Sequence, residues 1–200
     1  MTDLYLASQS PRRRELLAQL GVRFSTLSLS VPEVRADGEA PEDYVERLAL
    51  EKARAGLAHI QESGSALRPV LGSDTLGVCR GRVLEKPQDR EQALEMWRLM
   101  SGGAHEVLTA VALCSVEKEQ VCRVSTRVHF RTLSEAEMLA YWATGEPRDK
   151  AGGYGIQGLG GVFVERIEGS YSAVVGLPLA ETATLLNRFE VPWWGSVSRG

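Results

Sequence analysis

The sequence predicts an α/β fold, a mixed twisted sheet with flanking helices, from three observations. The chain has 200 residues and is 44% hydrophobic, which is enough apolar material for a proper core. Short apolar stretches typical of strands are interspersed with segments that have helical periodicity. Internal repeats and low-complexity segments are absent from the sequence. We therefore expect one domain over residues 1–190, followed by a loosely ordered tail at 191–200.

Charge and cysteine usage exclude several classes of protein. The 23 basic and 26 acidic residues give a net charge of -3, so nothing attracts the whole chain to nucleic acid or to an anionic membrane. The sequence has no basic segment before an apolar run at its start and no apolar stretch long enough to span a bilayer. Its three cysteines form no C-x-x-C pair. We expect reduced thiols in a cytoplasmic protein, with no membrane or nucleic-acid partner.

Strands and helices are predicted in an order that fits this fold class. Apolar or alternating runs predict strands at 4–7, 22–31, 69–79, 105–117, 120–133 and 162–167, with a short return strand after a hairpin turn at Arg80-Gly81. Capping signals and apolar periodicity predict helices from Pro11 to about Leu20, 41–61, 89–100, 134–144 and from Pro178. The segment "EGSYSAVVG" is predicted as a turn.

The stretch "LASQSPRRRELL" places serines and arginines at a strand-to-helix turn. Backbone N–H groups at a helix N-terminus bind anions, and Ser8, Ser10, Arg12 and Arg13 add donors there. The alternative is that Ser10 only caps the helix and the arginines are solvated. Cations at a helix N-terminus oppose the helix dipole, so the cluster favours a bound phosphate.

The glycine pattern formed by Gly153, Gly155 and Gly158 matches G-x-G-x-x-G, the fingerprint of dinucleotide-binding folds. That fingerprint requires a strand before it and a helix after it, whereas "PRDKA" precedes it here and a strand-like segment follows. We predict instead a loop that turns tightly or approaches a ligand, and that carries Lys150 and Gln157.

An acid interrupts the apolar run "PVLGSDTLGVC". Asp74, followed by Thr75, would be costly to bury without a partner. It could be a metal ligand, a general base, or a structural residue closing the turn before the hairpin. The hairpin would bring Glu85 and Lys86 beside it.

Two other charged residues are weak signals by themselves. Lys52 lies at the margin of the apolar stripe of the long helix, where it could point into a cleft or extend to solvent. Glu33 lies in a polar loop. The three histidines have no metal-ligand spacing, so we interpret them as incidental.

Taken together, these motifs resemble the Maf family of nucleoside triphosphate pyrophosphatases, also described as septum formation inhibitor-like proteins. The resemblance rests on "LASQSPRRRELL", "SDT" with "LEKP" downstream, and "DKAGGYGIQGLGGVFVERIEGSYSAVVGLPL", and runs from Leu4 to about Leu186. It implies two lobes around a central cleft, as in inosine triphosphatase-like folds, and a homodimer. It also implies hydrolysis of a nucleoside triphosphate to the monophosphate and pyrophosphate, with a divalent cation such as Mg²⁺, Mn²⁺ or Co²⁺.

The resemblance also implies roles for individual residues. The phosphate-binding residues would be Ser8, Arg12, Arg13, Lys52 and Lys86. Glu33 and Asp74 would hold the metal or activate water, and Gln157 would contact the base. Lysines and arginines suit this reaction because charge grows on the departing pyrophosphate, and Asp74 could deprotonate the attacking water.

Substrate choice within the family is indicated by two residues. The Gln157 amide has a donor and an acceptor that match O4 and N3–H of uracil or thymine. Together with Thr75, it resembles the branch that acts on dTTP and UTP, and modified pyrimidine nucleotides are further expected substrates. A nucleotide-binding regulator of cell division, with incidental hydrolysis, is the alternative function.

Overall fold

The computed structural model describes residues 2–194, which form six α-helices and seven strands. In chain order these elements are β1 (Leu4–Leu6), α1 (Pro11–Gln19), β2 (Phe24–Thr26), α2 (Pro41–Glu62), β3 (Val70–Cys79), β4 (Arg82–Leu84), α3 (Arg90–Met100), β5 (Ala104–Cys114), β6 (Glu119–Phe130), α4 (Glu135–Ala143), β7 (Val164–Glu168), α5 (Tyr171–Val175) and α6 (Leu179–Arg188). Three 3₁₀ segments, Glu146–Asp149, Ala151–Gly153 and Leu159–Phe163, lie between α4 and β7.

All seven strands belong to one mixed sheet, which confirms the predicted α/β class. The order is β2-β1-β3-β5-β6-β7, and β4 pairs with β3 outside this path. β1 pairs in parallel with both β2 and β3. β4 is antiparallel to β3, and β7 is antiparallel to β6.

The chain divides into two compact units. The first comprises Met1–Asp74, Thr109–Val124 and Gly176–Gly200, and the second comprises Thr75–Leu108 and Ser125–Val175. In the first unit, Ala7, Ile60 and Val70 form a buried cluster. The second unit is built around buried aromatic rings, with Trp97, Phe130 and Phe163 almost fully buried.

The two capping signals noted in the sequence, at α1 and α4, are confirmed, and the structure adds a third cap at α3. Ser10 caps α1 by accepting a hydrogen bond from the N–H of Arg13, and Pro11 is the first helical residue. Asp89 caps α3, and Ser134 caps α4 in a reciprocal capping box with Glu137. Each side-chain oxygen satisfies an N–H that the helix leaves unpaired, so these three boundaries could be predicted locally.

The hairpin prediction is also confirmed. Arg80 and Gly81 have φ angles of 49° and 77°, the left-handed conformations that a two-residue turn between twisted strands requires. Leu84 of β4 is opposite Gly77 of β3 in the resulting ladder.

Three local predictions differ from the structure. The strand expected over 22–31 is limited to β2, because β1 ends at Leu6 and the last hydrogen bond to it runs from the N–H of Leu27 to the Leu6 carbonyl. Val162 and Phe163, expected in a strand, lie in a 3₁₀ segment before β7. The segment predicted as a turn contains α5, which the Ser170 hydroxyl supports by accepting a hydrogen bond from the N–H of Ala173.

The described C-terminal residues pack against the rest of the first unit. Val191 is buried, and Trp194 donates a backbone hydrogen bond to the Leu20 carbonyl at 2.8 Å, so the first residues of the segment expected as a tail are attached. The remainder of that segment, 195–200, lies outside the described residues. All three cysteines are free. None of the helices in the described range is long and apolar enough to cross a membrane.

Candidate functional site

The first unit brings Lys52 between two carboxylates that are distant in sequence. Its ammonium Nζ lies 2.6 Å from Oε1 of Glu33 and 2.6 Å from Oδ1 of Asp74. The side chains of Lys52 and Asp74 are largely shielded from solvent, whereas that of Glu33 is 44% exposed. We call these three residues the Lys52 triad.

Close packing of α2 on β3 explains how Lys52 reaches Asp74. Gly72 lies against the backbone of α2, and a Cβ atom at this position would be 2.6 Å from the backbone nitrogen of Ala53. On the helix, Ala49 and Ala53 are fully buried small residues, which allow this approach. Lys52 follows Ala49 by about one helical turn, and Asp74 lies two positions after Gly72 on β3. The close approach of α2 to Gly72 therefore brings Lys52 to Asp74.

The loop that carries Glu33 is fastened to α2 by Arg47. Arg47 donates to both carboxylate oxygens of Glu39 at 2.7 Å and to the Val34 carbonyl at 3.0 Å. The hydrogen bond from Arg47 is the main reason why the pKa of Glu39 falls to about 2. Arg47 and Lys52 both belong to α2. This helix therefore holds the loop backbone next to Glu33 through Arg47 and the Glu33 carboxylate through Lys52.

Arg13 lies at the N-terminal turn of α1, as the sequence predicts. Its Nε donates to the Gly176 carbonyl at 2.9 Å, and its Nη1 lies 3.5 Å from Oγ of Ser8. Burial lowers the pKa of Arg13, while the charges of Asp74 and Glu33 oppose that shift. The guanidinium is therefore within electrostatic range of both acids of the Lys52 triad.

Ser8 and Arg12 complete this turn. Oγ of Ser8 accepts a hydrogen bond from the N–H of Ser10 at 3.2 Å, and its contact with Arg13 also uses the oxygen as acceptor. The hydroxyl proton of Ser8 can therefore be donated to a ligand. Arg12 is partly buried, and its charge contributes to lowering the pKa of Arg13.

The structure reveals a supporting contact that the sequence reasoning missed. Ser73, fully buried, donates from Oγ to the Gly176 carbonyl at 3.0 Å, so one carbonyl accepts hydrogen bonds from both Ser73 and Arg13. Gly176 has a φ of 132°, which L residues rarely adopt. The only signal in the sequence was the position of Ser73 immediately before Asp74.

The other predicted residues lie in the second unit. Thr75 follows Asp74 in β3 and is partly buried. Lys86 is exposed, two residues beyond the last strand residue of β4. Gln157 is exposed and lies between two 3₁₀ segments. Their proposed contacts with substrate remain predictions.

The dinucleotide interpretation of the glycine pattern is excluded by the elements around it. The first glycine of the pattern, Gly153, is the last residue of a 3₁₀ segment, and another 3₁₀ segment begins at Leu159, directly after the last glycine. The fingerprint would need a strand and an α-helix at these positions.

The acids of the Lys52 triad supply oxygen ligands of the kind that bind a divalent cation. Within residues 2–194, no group of three or more His, Cys, Asp or Glu side chains is arranged to hold a metal ion by itself. Glu33 and Asp74 nevertheless present oxygen ligands to one positive group, and Mg²⁺-like ions bind through one or two carboxylates with waters and substrate phosphates. The two carboxylates therefore fit a divalent cation whose remaining ligands come from outside the protein, such as waters or phosphate oxygens.

Comparison with known proteins gives consistent matches over almost the whole chain. The family model described as Maf-like protein matches residues 3–189. A relative from Saccharophagus degradans, named dTTP/UTP pyrophosphatase, is 57% identical over 98% of this chain and 93% of its own length. A relative of the same name from Escherichia coli is 54% identical over 94% of each chain.

A solved structure of the Staphylococcus aureus Ham1 protein shares 9% identity over 64% of this chain and 71% of its own, with a TM-score of 0.43. The family match and the two relatives decide the assignment. The chain belongs to the family of Maf-like proteins.

Proposed function

We propose that this protein hydrolyses nucleoside triphosphates between the α- and β-phosphates, giving the monophosphate and pyrophosphate, and that dTTP and UTP are its substrates. The observation that carries the proposal is the Lys52 triad beside Arg13, which unites a cation with two acids from three separate segments. The relatives named dTTP/UTP pyrophosphatase support the same activity. Removal of modified pyrimidine nucleotides fits this activity as a housecleaning role.

The first step is to bind the triphosphate tail. The N-terminal amides of α1, the hydroxyl of Ser8 and the guanidinium groups of Arg12 and Arg13 would contact phosphate oxygens. We assign Lys52 and Lys86 to the same task. Pyrophosphate gains negative charge as it leaves, so fixed cations stabilise the transition state more than the ground state.

Glu33 and Asp74 would hold a divalent cation, Mg²⁺, Mn²⁺ or Co²⁺, together with the substrate phosphates. When bound, such an ion withdraws charge from the phosphate oxygens. Lys52 occupies the space between the carboxylates and neutralises them. Its amine would turn to a phosphate when the acids engage the cation.

Asp74 is suited to orient and deprotonate the attacking water. Oδ1 accepts a hydrogen bond from Lys52, and the carboxylate carries a second oxygen, Oδ2, that would face the water. That oxygen can accept a proton from a water that attacks the α-phosphorus. A role of Asp74 as metal ligand uses the same oxygen, and the two roles differ in their dependence on pH and metal concentration.

Gln157 is proposed to read the base. Its amide would donate to O4 of uracil or thymine and accept from N3–H. Its exposed side chain lies at the turn between Gly155 and Gly158. Thr75, adjacent to Asp74, is assigned to substrate binding.

Release of pyrophosphate tests the reaction. The protein should convert dTTP or UTP with Mg²⁺ to monophosphate and pyrophosphate, and Asp74→Asn should lose about a hundredfold or more of kcat. The matched control is Asp43→Asn, an exposed acid in the first turn of α2. Release of orthophosphate alone, or no turnover of any triphosphate, would refute the proposed reaction.

Base reading is tested by exchanging one atom of Gln157. Gln157→Glu would place a carboxylate oxygen against O4, so kcat/KM for UTP and dTTP should fall relative to that for GTP. An unchanged ratio among these substrates would remove Gln157 from the base-reading role.

We further propose that the protein is a cytoplasmic homodimer. The free thiols agree with a reducing compartment. The dimer is an inference from the family resemblance, and light scattering with size-exclusion chromatography would measure it directly.

A further inference from the structure

The glycine-rich segment of the second unit surrounds a carboxylate of its own chain. Oε1 of Glu146 accepts hydrogen bonds from the Tyr141 hydroxyl at 2.7 Å and from the N–H of Gly160 at 3.0 Å. Oε2 accepts one from the N–H of Leu159 at 2.9 Å. Glu146 thus fastens the end of the loop that follows Gln157.

The other end of the same loop is fastened through Tyr141. The N–H of Gly155 donates to the Tyr141 hydroxyl oxygen at 3.1 Å, and that hydroxyl in turn donates to Glu146. Lys150 adds a hydrogen bond from Nζ to the Glu146 carbonyl at 2.6 Å. Gln157 therefore lies on a short loop, 155–160, that is held at both ends by the Tyr141–Glu146 pair.

The glycines of this loop are explained by the room that the pair needs. A Cβ atom at Gly158 would lie 2.7 Å from the carboxylate carbon of Glu146. At Gly160 it would lie 2.5 Å from the Tyr141 hydroxyl oxygen. Real Cβ atoms do not approach so closely, so Gly158, the last glycine of the fingerprint-like pattern, leaves room for the Glu146 carboxylate, and Gly160 leaves room for the Tyr141 hydroxyl.

The charge on Glu146 is stabilised despite its partial burial. Burial by itself would raise the pKa of Glu146, but the hydrogen bonds from Gly160, Tyr141 and Leu159 outweigh it and lower the pKa. The carboxylate is ionised at neutral pH, and loop amides that could bind a phosphate are used by it instead.

We propose that Glu146 is a positioning residue for base recognition, which fixes the loop that carries Gln157 and thereby sets the preference for pyrimidine nucleotides. This inference rests on the proposed function, because it assumes that Gln157 contacts the base. Orientation matters here because a planar amide discriminates between bases only when its donor and acceptor are held in place.

The test is Glu146→Gln, which preserves the shape of the side chain. The amide replaces one acceptor oxygen with an NH₂ group, so either Leu159 or Gly160 loses its acceptor. We expect the ratio of kcat/KM for UTP over GTP to fall about tenfold or more, mainly through KM for UTP. Amide exchange in the peptide covering 150–163 should become faster in the same variant. Glu165→Gln, an exposed acid on β7, is the matched control and should change neither quantity.

A double variant separates positioning from general damage. In Gln157→Ala, the UTP/GTP ratio should already be low, and adding Glu146→Gln should lower it no further. Two results would overturn the inference: an unchanged ratio in Glu146→Gln with faster loop exchange, or an equal loss of kcat for both nucleotides. If Glu146→Gln does not fold, Tyr141→Phe tests the Tyr141–Glu146 pair by removing the hydroxyl that joins Glu146 to Gly155. The same two results would then overturn the inference.

The design also separates this inference from the proposed function. If Gln157→Ala itself leaves the UTP/GTP ratio unchanged, base reading by Gln157 is wrong and the role of Glu146 falls with it. If Gln157→Ala lowers the ratio but neither Glu146→Gln nor Tyr141→Phe does, only the positioning role is wrong.

Discussion

The ammonium nitrogen of Lys52 lies 2.6 Å from Oδ1 of Asp74, although 22 residues separate the two in sequence. This contact joins the long helix α2 to the strand β3 that carries the acid. It places a positive charge against the Asp74 carboxylate inside an apolar run. The same lysine holds Glu33 at 2.6 Å, so a single amine organises both proposed metal ligands.

Removal of this amine is expected to abolish most of the activity. Lys52→Met keeps a long unbranched side chain, but it leaves Glu33 and Asp74 without their shared cation and removes a positive charge from the proposed phosphate site. We expect kcat/KM for UTP to fall by about a hundredfold to a thousandfold, measured by pyrophosphate release.

The control for Lys52 is Arg54→Met on the same helix. Arg54 pairs with Glu119 at the surface, where such pairs contribute little to stability. Activity of this variant should be within about twofold of that of the unmodified protein. Equal losses in Lys52→Met and Arg54→Met would contradict a specific role for Lys52.

Arg13 should be sensitive even to replacement by lysine. Arg13→Lys keeps the charge but loses the planar group that contacts both Gly176 and Ser8. One charge-assisted hydrogen bond contributes about 1.5–3 kcal/mol, so kcat/KM should fall about tenfold to a hundredfold. Arg14→Lys, at the exposed neighbouring position, is the control. Unchanged kinetics in Arg13→Lys would show that only its charge matters.

Features determined by neighbouring residues could be predicted from the sequence. Ser10 and Pro11 specify the start of α1, and Arg80-Gly81 specifies the hairpin, because each depends on the backbone within a few residues. These local signals located the start of α1, where we propose that phosphate binds, and the turn that follows β3.

Contacts across long stretches of chain could not be predicted in the same way. The hydrogen bond from Arg13 to Gly176 spans 163 residues, and its acceptor is a backbone carbonyl, which has no sequence signature. Lys52 had the pattern of an ordinary surface lysine, since only the approach of α2 to Gly72 directs it to Asp74. Glu146 was missed because the glycine pattern suggested an external ligand.

Gly72 should be intolerant of substitution. In Gly72→Ala, the new methyl group would overlap the backbone of α2, so the helix must move away from β3. We expect a loss of about 1–3 kcal/mol in the free energy of unfolding and a fall in kcat, because Lys52 moves with the helix. Denaturant titration measures the first and pyrophosphate release the second. In the control, Gly103→Ala, the nearest atom to the new Cβ is 3.6 Å away. Unaltered stability of Gly72→Ala would contradict this packing.

His105 gives the second unit a predictable response to pH. The residue is 3% exposed, its Nε2 is 2.8 Å from the Tyr154 hydroxyl, and its ring meets Phe130 edge to face. Burial, with a smaller effect of the charge of His129, lowers the pKa of His105 to about 4 from the usual 6.5. Between these values the unfolded chain binds a proton that the folded chain does not. Stability is therefore complete above pH 6.5 and decreases as the pH falls towards 4.

The expected loss on going from pH 7.5 to pH 5 is about 2 kcal/mol of unfolding free energy from this one residue. His105→Gln should remove that part of the pH dependence, since an amide can still bond to Tyr154 but does not titrate. Urea titrations at the two pH values measure the difference for each variant. His59→Gln is the matched control, because His59 is exposed near the end of α2 and should leave the pH dependence unchanged. If His105→Gln loses as much stability between pH 7.5 and pH 5 as the unmodified protein, another group takes up the proton on unfolding. The buried imidazole of His105 would then not be the cause of the pH dependence.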